Sequence, residues 1–171
     1  MFFRHAVRRL RCLLLERTMR LIVVFLNLLV AMSVFAQPKD VMSELQLSAT
    51  KYAMERRVVS TTYPDMLFRQ LDVKAPVEVF VASIDLNNDG RKDIVAQFVG
   101  NPTCGTTGCS TLALIALKDG GWDDVLSYVN THAIYVGRPT PNTYRPLWLT
   151  GKAGRTKWVF NGQKYESSGR Q

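Results

Sequence analysis

The pattern of apolar and polar positions changes character twice along this chain. Residues 21–34, LIVVFLNLLVAMSV, form an almost unbroken apolar run of 14. Residues 38–59 then take up three- and four-residue steps, with Val41, Leu45, Ala49, Tyr52 and Ala53 recurring and Glu44, Lys51 and Glu55 set elsewhere. That period predicts an amphipathic helix with Asp40 at its N-cap. Residues 61–76 read as a connector in which Pro64 starts a short helix through Leu71. After Pro76 the spacing shortens, which predicts strands at 77–86, 93–99, 111–118, 122–129, 133–136, 147–150, 157–160 and 163–166. The third of these has LALIAL at its centre and reads as a strand buried on both faces. Asp119-Gly120-Gly121 marks a turn and Asn161-Gly162 a two-residue hairpin. Residues 139–146, with three prolines, read as a loop. The predicted fold is α+β, mainly β: an N-terminal amphipathic helix packed on an antiparallel sheet of hairpins. No period of 20–50 residues repeats, which excludes a full solenoid or propeller.

The apolar run is short for a membrane span, which needs roughly 20 residues, and suits the core of a secretory signal. Arg17 and Arg20 precede it, and Val34 and Ala36 supply the small residues of a cleavage site after Ala36. The alternative is a signal anchor that stays in the membrane. Residues 1–18 carry Arg4, Arg8, Arg9, Arg11 and Arg17, and Met19 is an alternative start. The expected organisation is therefore a signal peptide at 1–36 and a single mature domain at 37–171. Six of the 22 basic residues and one of the 14 acidic ones lie in the first 36, leaving 16 against 13 and a net charge of +3. The overall +8 is mostly targeting charge. No basic stripe interleaved with aromatics follows it, so no nucleic-acid partner is expected. Cys104 and Cys109 remain after cleavage, an even pair in an oxidising compartment. A zinc site would want four ligands, and a redox pair would want Cys-x-x-Cys. A structural disulfide is the favoured reading, and the expected address is periplasmic or secreted.

One segment carries chemistry. Asp85-Leu86-Asn87-Asn88-Asp89-Gly90-Arg91-Lys92-Asp93 places oxygen donors at every second position. Calcium takes six to eight hard oxygen ligands. Asp85, Asn87, Asp89 and Asp93 can offer side-chain oxygens and Arg91 its backbone carbonyl. Gly90 permits the sharp turn. Three carboxylates so close would repel one another without a cation. The position where an EF-hand places its bidentate Glu is Ala96, and strands flank the loop, so this is a β-turn of another kind. The competing reading is a plain Asn-Asp-Gly hairpin with solvated carboxylates. With three carboxylates, calcium affinity is expected near the roughly 10⁻⁴–10⁻³ M of extracellular modules.

The run Asp85-x-Asn87-x-Asp89-Gly90-x-x-Asp93-Ile94 resembles the calcium loop of FG-GAP (VCBS-type) repeats. In that family four oxygen-bearing side chains and a main-chain carbonyl bind calcium, and each position has its match here. Cys104-Gly105-Thr106-Thr107-Gly108-Cys109 and Phe160-Asn161-Gly162-Gln163-Lys164-Tyr165 widen the resemblance, over about residues 77–166, to small periplasmic proteins of Gram-negative bacteria. Some of these are similar to periplasmic inhibitors of I-type lysozyme and to immunity proteins against peptidoglycan-cleaving toxins. The resemblance implies a calcium-binding protein with a binding role, without identifying its target. The expected function is a non-catalytic inhibitor or immunity protein against a cell-wall hydrolase.

No catalytic residue is expected. His132 is the one histidine after residue 36, and no Gly-x-Ser-x-Gly elbow accompanies Ser110 or Ser127. Asp123 and Asp124 are adjacent on a strand and point to opposite faces, so they could not flank one glycosidic bond. The alternative function is an envelope enzyme acting on peptidoglycan or glycans, which would need His132 or a carboxylate pair. Most aromatics fall on strands and should be core. Tyr144 sits with Arg138 and Arg145 in the proline-braced loop, outside any expected core. Tyr and Arg favour interface centres, so these three are the candidate partner contacts.

Overall fold

The computed structural model describes residues 41–68, 76–139 and 143–170. The apolar run, the cleavage site after Ala36 and residues 38–40 lie outside them. The stretch expected as one helix is divided. Strand β1 (Met42–Glu44) pairs with Ala133–Gly137, and Ser48 exchanges backbone hydrogen bonds with Val81 at 2.9 and 3.1 Å. The Ser48 hydroxyl then accepts the N–H groups of Thr50 and Lys51, turning the chain. Only after Tyr52, at φ 57°, does helix α1 (Ala53–Thr62) begin. Leu45 and Leu47, two apart, pack on the core, while Val41 and Tyr52 are exposed. The segment's backbone is satisfied by two strand neighbours, and that outweighs its four-residue periodicity. A short helix α2 (Pro64–Phe68) follows, starting at the proline as expected.

The strands form two antiparallel sheets. One contains β2 (Glu78–Ile84), β3 (Asp93–Val99), β5 (Gly108–Ala116) and β4 (Cys104–Gly105) in that order, with β6 (Trp122–Thr131) also paired to β5. The other runs β1, β7 (Ala133–Gly137), β8 (Leu147–Gly151), β9 (Gly154–Phe160), β10 (Tyr165–Arg170). Strand alternation sends Ala113 and Ile115 of β5 into the layer between the sheets, against Ile134, Leu147 and Leu149. It sends Leu112 and Leu114 to the opposite face, where Val59 of α1 covers them with Ile94 and Phe98. β5 is thus buried on both faces, as its sequence predicts.

A corner joins the sheets where β6 turns into β7. Thr131 there is fully buried. Its hydroxyl reaches the carbonyls of Ala133 and Thr150 at 2.8 and 2.9 Å, and its own carbonyl accepts from the Gln97 amide at 2.8 Å. One predicted turn and one predicted strand differ in detail. Phe160 pairs with Tyr165, so the Asn161-Gly162 hairpin has four loop residues instead of two. The Asn161 side chain causes this by accepting the N–H groups of both Gln163 and Lys164 at 2.9 Å. β6 is longer than expected and irregular: its register on β5 slips twice, and Tyr128 sits at φ 52°.

Candidate metal centre

The loop of residues 85–92 closes the hairpin between β2 and β3, where Ile84 pairs with Asp93. Asp93 is its base. The side chain is fully buried, and its two oxygens accept the N–H groups of Leu86 at 2.6 Å and Ala116 at 2.9 Å. One carboxylate therefore ties the start of the loop to the end of β5. Asp85 lies opposite, with one oxygen on the N–H of Asp89 at 3.2 Å and the other on that of Gly90 at 2.9 Å. The Asn87 carbonyl oxygen reaches the same Asp89 N–H at 3.2 Å. Gly90, at φ 86°, permits the turn that presents these amides. Asp89 accepts the Arg91 N–H at 2.8 Å and forms a salt bridge with the Arg91 guanidinium. Arg91 also donates its Nε–H to the carbonyl of Ala116 at 3.0 Å, a second link to β5.

Burial pushes the Asp93 carboxyl above the usual range. Its two backbone donors counter this, and the charges of Asp89 and Asp85 reinforce it. Asp89 goes the other way. Desolvation, the largest single influence, raises it, but the Arg91 N–H, the Asn87 amide and the charges of Arg91 and Lys118 together hold it low. Asp93 thus senses the charges of the other two carboxylates. Among the described residues no group of three His, Cys, Asp or Glu side chains is gathered in metal-holding geometry. The donor set suits a hard cation by type. In the arrangement at hand, backbone amides and Arg91 occupy its oxygens.

No family model, curated protein or solved structure matches this chain. Its site is therefore read from its own geometry.

The remaining candidate residues fall in three places. Cys104 and Cys109 are directly opposed on β4 and β5 and form a disulfide with Cα atoms 3.9 Å apart. His132 is exposed, and its ring contacts the Thr106 carbonyl at 3.3 Å, while Ser110 pairs with Asn130. Asp124 is not merely solvated: it accepts the Tyr63 hydroxyl at 2.6 Å. Arg138 is exposed.

The expectation that Tyr144 stands outside the core is corrected. Its ring stacks on Phe160 with centroids 3.6 Å apart and meets Tyr165 edge-on at 6.3 Å. One hairpin supplies Phe160 and Tyr165 and a separate segment supplies Tyr144, so no local pattern could bring Tyr144 to them. Burial raises the Tyr144 phenol, and the nearby Asn87 side chain works against that rise. Arg145 donates its N–H to the Leu86 carbonyl at 2.7 Å and its Nε–H to Gly137 at 2.7 Å. Of the three residues expected to contact a partner, Arg145 therefore clasps the loop of residues 85–92. Sequence reasoning missed Tyr63 and Tyr128, which meet edge to face at 5.9 Å beside a cavity. Tyr63 directly precedes Pro64, but nothing in the sequence pairs it with Tyr128.

Proposed function

We propose that this protein is a calcium-binding, non-catalytic protein of the bacterial envelope that inhibits a peptidoglycan hydrolase. The metal would be held by Asp85, Asn87, Asp89, Asp93 and the Arg91 carbonyl, and would supply the charge that three neighbouring carboxylates lack. The observation that carries the metal reading is convergence: oxygens of Asp85 and Asn87 meet at one backbone amide, that of Asp89. The clasp links the metal to the partner surface. Arg145 holds the proposed calcium loop through the Leu86 carbonyl and, through its side chain on the Gly137 carbonyl, the chain next to exposed Arg138. Fixing the loop would fix how Arg138 is presented, and a rigid surface binds at lower entropic cost. The disulfide agrees with an oxidising, periplasmic or secreted address. Among the described residues no helix is long and apolar enough to cross a membrane.

The test is inhibition of cell-wall lysis. The purified chain is added to an I-type lysozyme and to other peptidoglycan hydrolases, with calcium or with chelator. The expected result is slowed lysis that chelator relieves. Turnover of cell wall by the chain alone, or no effect on any hydrolase, would refute the reading.

A further inference from the structure

A second site lies away from the metal loop. Where α1 gives way to α2, a cavity of about 480 Å³ opens between the helices and the sheet carrying β6. Tyr63 and Tyr128 form one wall, their rings at 87° to each other. Tyr128 is 49% exposed, and its backbone lies in a region that bulky residues rarely adopt. An aromatic side chain held outward at a strained position in a cavity wall points to a ligand.

Four of the hydroxyl groups lining the cavity donate to other partners. Thr62 gives its hydroxyl hydrogen to the Val58 carbonyl at 2.8 Å, and Thr103 to that of Phe98 at 2.8 Å. Ser110 bonds the Asn130 side-chain oxygen at 3.1 Å, and Tyr63 donates to Asp124 at 2.6 Å. Each of these oxygens is left with lone pairs alone to offer. Asp65 adds a carboxylate to the lining, and its charge and that of Asp124 both reach Tyr128. Among the described residues, no lysine or arginine lines the cavity. Acceptors, carboxylate charge and aromatic faces together suit a guest that is positively charged and rich in N–H donors. We infer that this cavity binds an organic cation, the guanidinium of arginine or the ammonium of lysine, free or displayed on a peptide. This does not depend on calcium, because the cavity shares no lining residue with residues 85–93.

The experiment is an NMR titration of the full ¹⁵N-labelled chain with N-acetyl-arginine amide, and with its neutral citrulline counterpart of the same shape. The arginine compound should shift the resonances of residues 62–66, 102–103 and 128, with about millimolar affinity for a single cation in an open site. The citrulline compound should bind at least about fivefold more weakly. Asp65 is exposed, so Asp65→Asn should leave the fold intact while weakening arginine binding several-fold. An arginine-bearing tripeptide that binds more tightly than the amide would assign the source to a peptide or protein, and equal affinity would assign it to the free amino acid. Equal binding of citrulline, undiminished binding by Asp65→Asn, shifts confined to other residues or no shifts at all would each overturn the assignment. Parallel titrations in calcium and in chelator report on the metal loop separately.

Discussion

Gly108 shows how one missing side chain holds the two sheets in place. Its φ is +105°, and a Cβ placed there would lie 2.1 Å from the Thr131 carbonyl carbon. The hairpin closed by the disulfide thus rests directly on the corner between β6 and β7. Gly108→Ala must push backbone against backbone, and is expected to cost more than about 4 kcal/mol, in the rare upper tail of point mutants. Urea unfolding measures it, and a loss under about 1 kcal/mol would mean the approach is absent in solution. Tyr165 makes a second prediction at this scale. Burial, with the charges of Tyr144 and Asp93, raises its phenol above the ordinary value, and Arg145 opposes this weakly. A raised acid stays protonated in the folded chain where the unfolded chain has lost its proton. Stability should therefore fall as pH rises above about 10, the unfolded phenol value. Tyr165→Phe removes the hydroxyl bond to the Arg145 carbonyl. It should cost about 0.5–1.5 kcal/mol at neutral pH yet flatten the alkaline decline. Denaturant midpoints at neutral and alkaline pH separate the two effects, and an unchanged alkaline slope in the variant would count against the raised phenol.

Among the elements, the β2–β3 hairpin was the most legible, because its nine donor-patterned residues are contiguous. Its flanking strands and the opposed cysteines were legible for the same reason. Not legible was how the donors are occupied. Asp93 is committed to Leu86 and to Ala116, and Ala116 is remote in sequence. Arg91, expected to contribute only its carbonyl, also sets its side chain on Asp89. The region of residues 38–59 misled because Leu45 and Leu47 fit a strand while Val41, Leu45 and Ala49 fit a helix, and only pairing with β7 and Val81 decides between them. Tyr144 was misread because its stacking partner is Phe160. The Arg91 contact itself gives a prediction. To bind calcium, Asp89 must leave the guanidinium, so that group competes with the metal. Arg91→Gln keeps the backbone carbonyl and removes the competitor, and should tighten calcium binding several-fold. Asp89→Ala should nearly abolish it. Calorimetric titration of the three proteins decides, and weaker binding by Arg91→Gln would show that the guanidinium supports the site.

At the scale of the whole molecule, β5 is the strand through which the layers communicate. It faces α1 on one side and the second sheet on the other, and its end at Ala116 receives both Asp93 and Arg91. The loop is also held from the second sheet's side, through Arg145 on Leu86 and Tyr165 on Arg145. A metal bound there would resist opening of the entire fold, beyond the hairpin alone. Calcium should therefore raise the global melting temperature. By mass action, calcium at 100 times its dissociation constant contributes about 2.7 kcal/mol, which for a domain of this size is roughly 10 °C. Magnesium should do far less, because it demands tight octahedral geometry and sheds its water reluctantly. Asp85→Ala should remove most of the gain by deleting a charged ligand. Asn88→Ala should leave it nearly whole, since Asn88 is exposed and alternates away from the other donors. The melting curves should follow circular dichroism in the far and near ultraviolet together, because loop and layers open as one. Superimposable curves in calcium, magnesium and chelator would reduce the loop to a turn held by its own amides. A calcium shift seen only in the near ultraviolet would confine the metal's effect to the Tyr144–Phe160–Tyr165 cluster and disprove the coupling through β5.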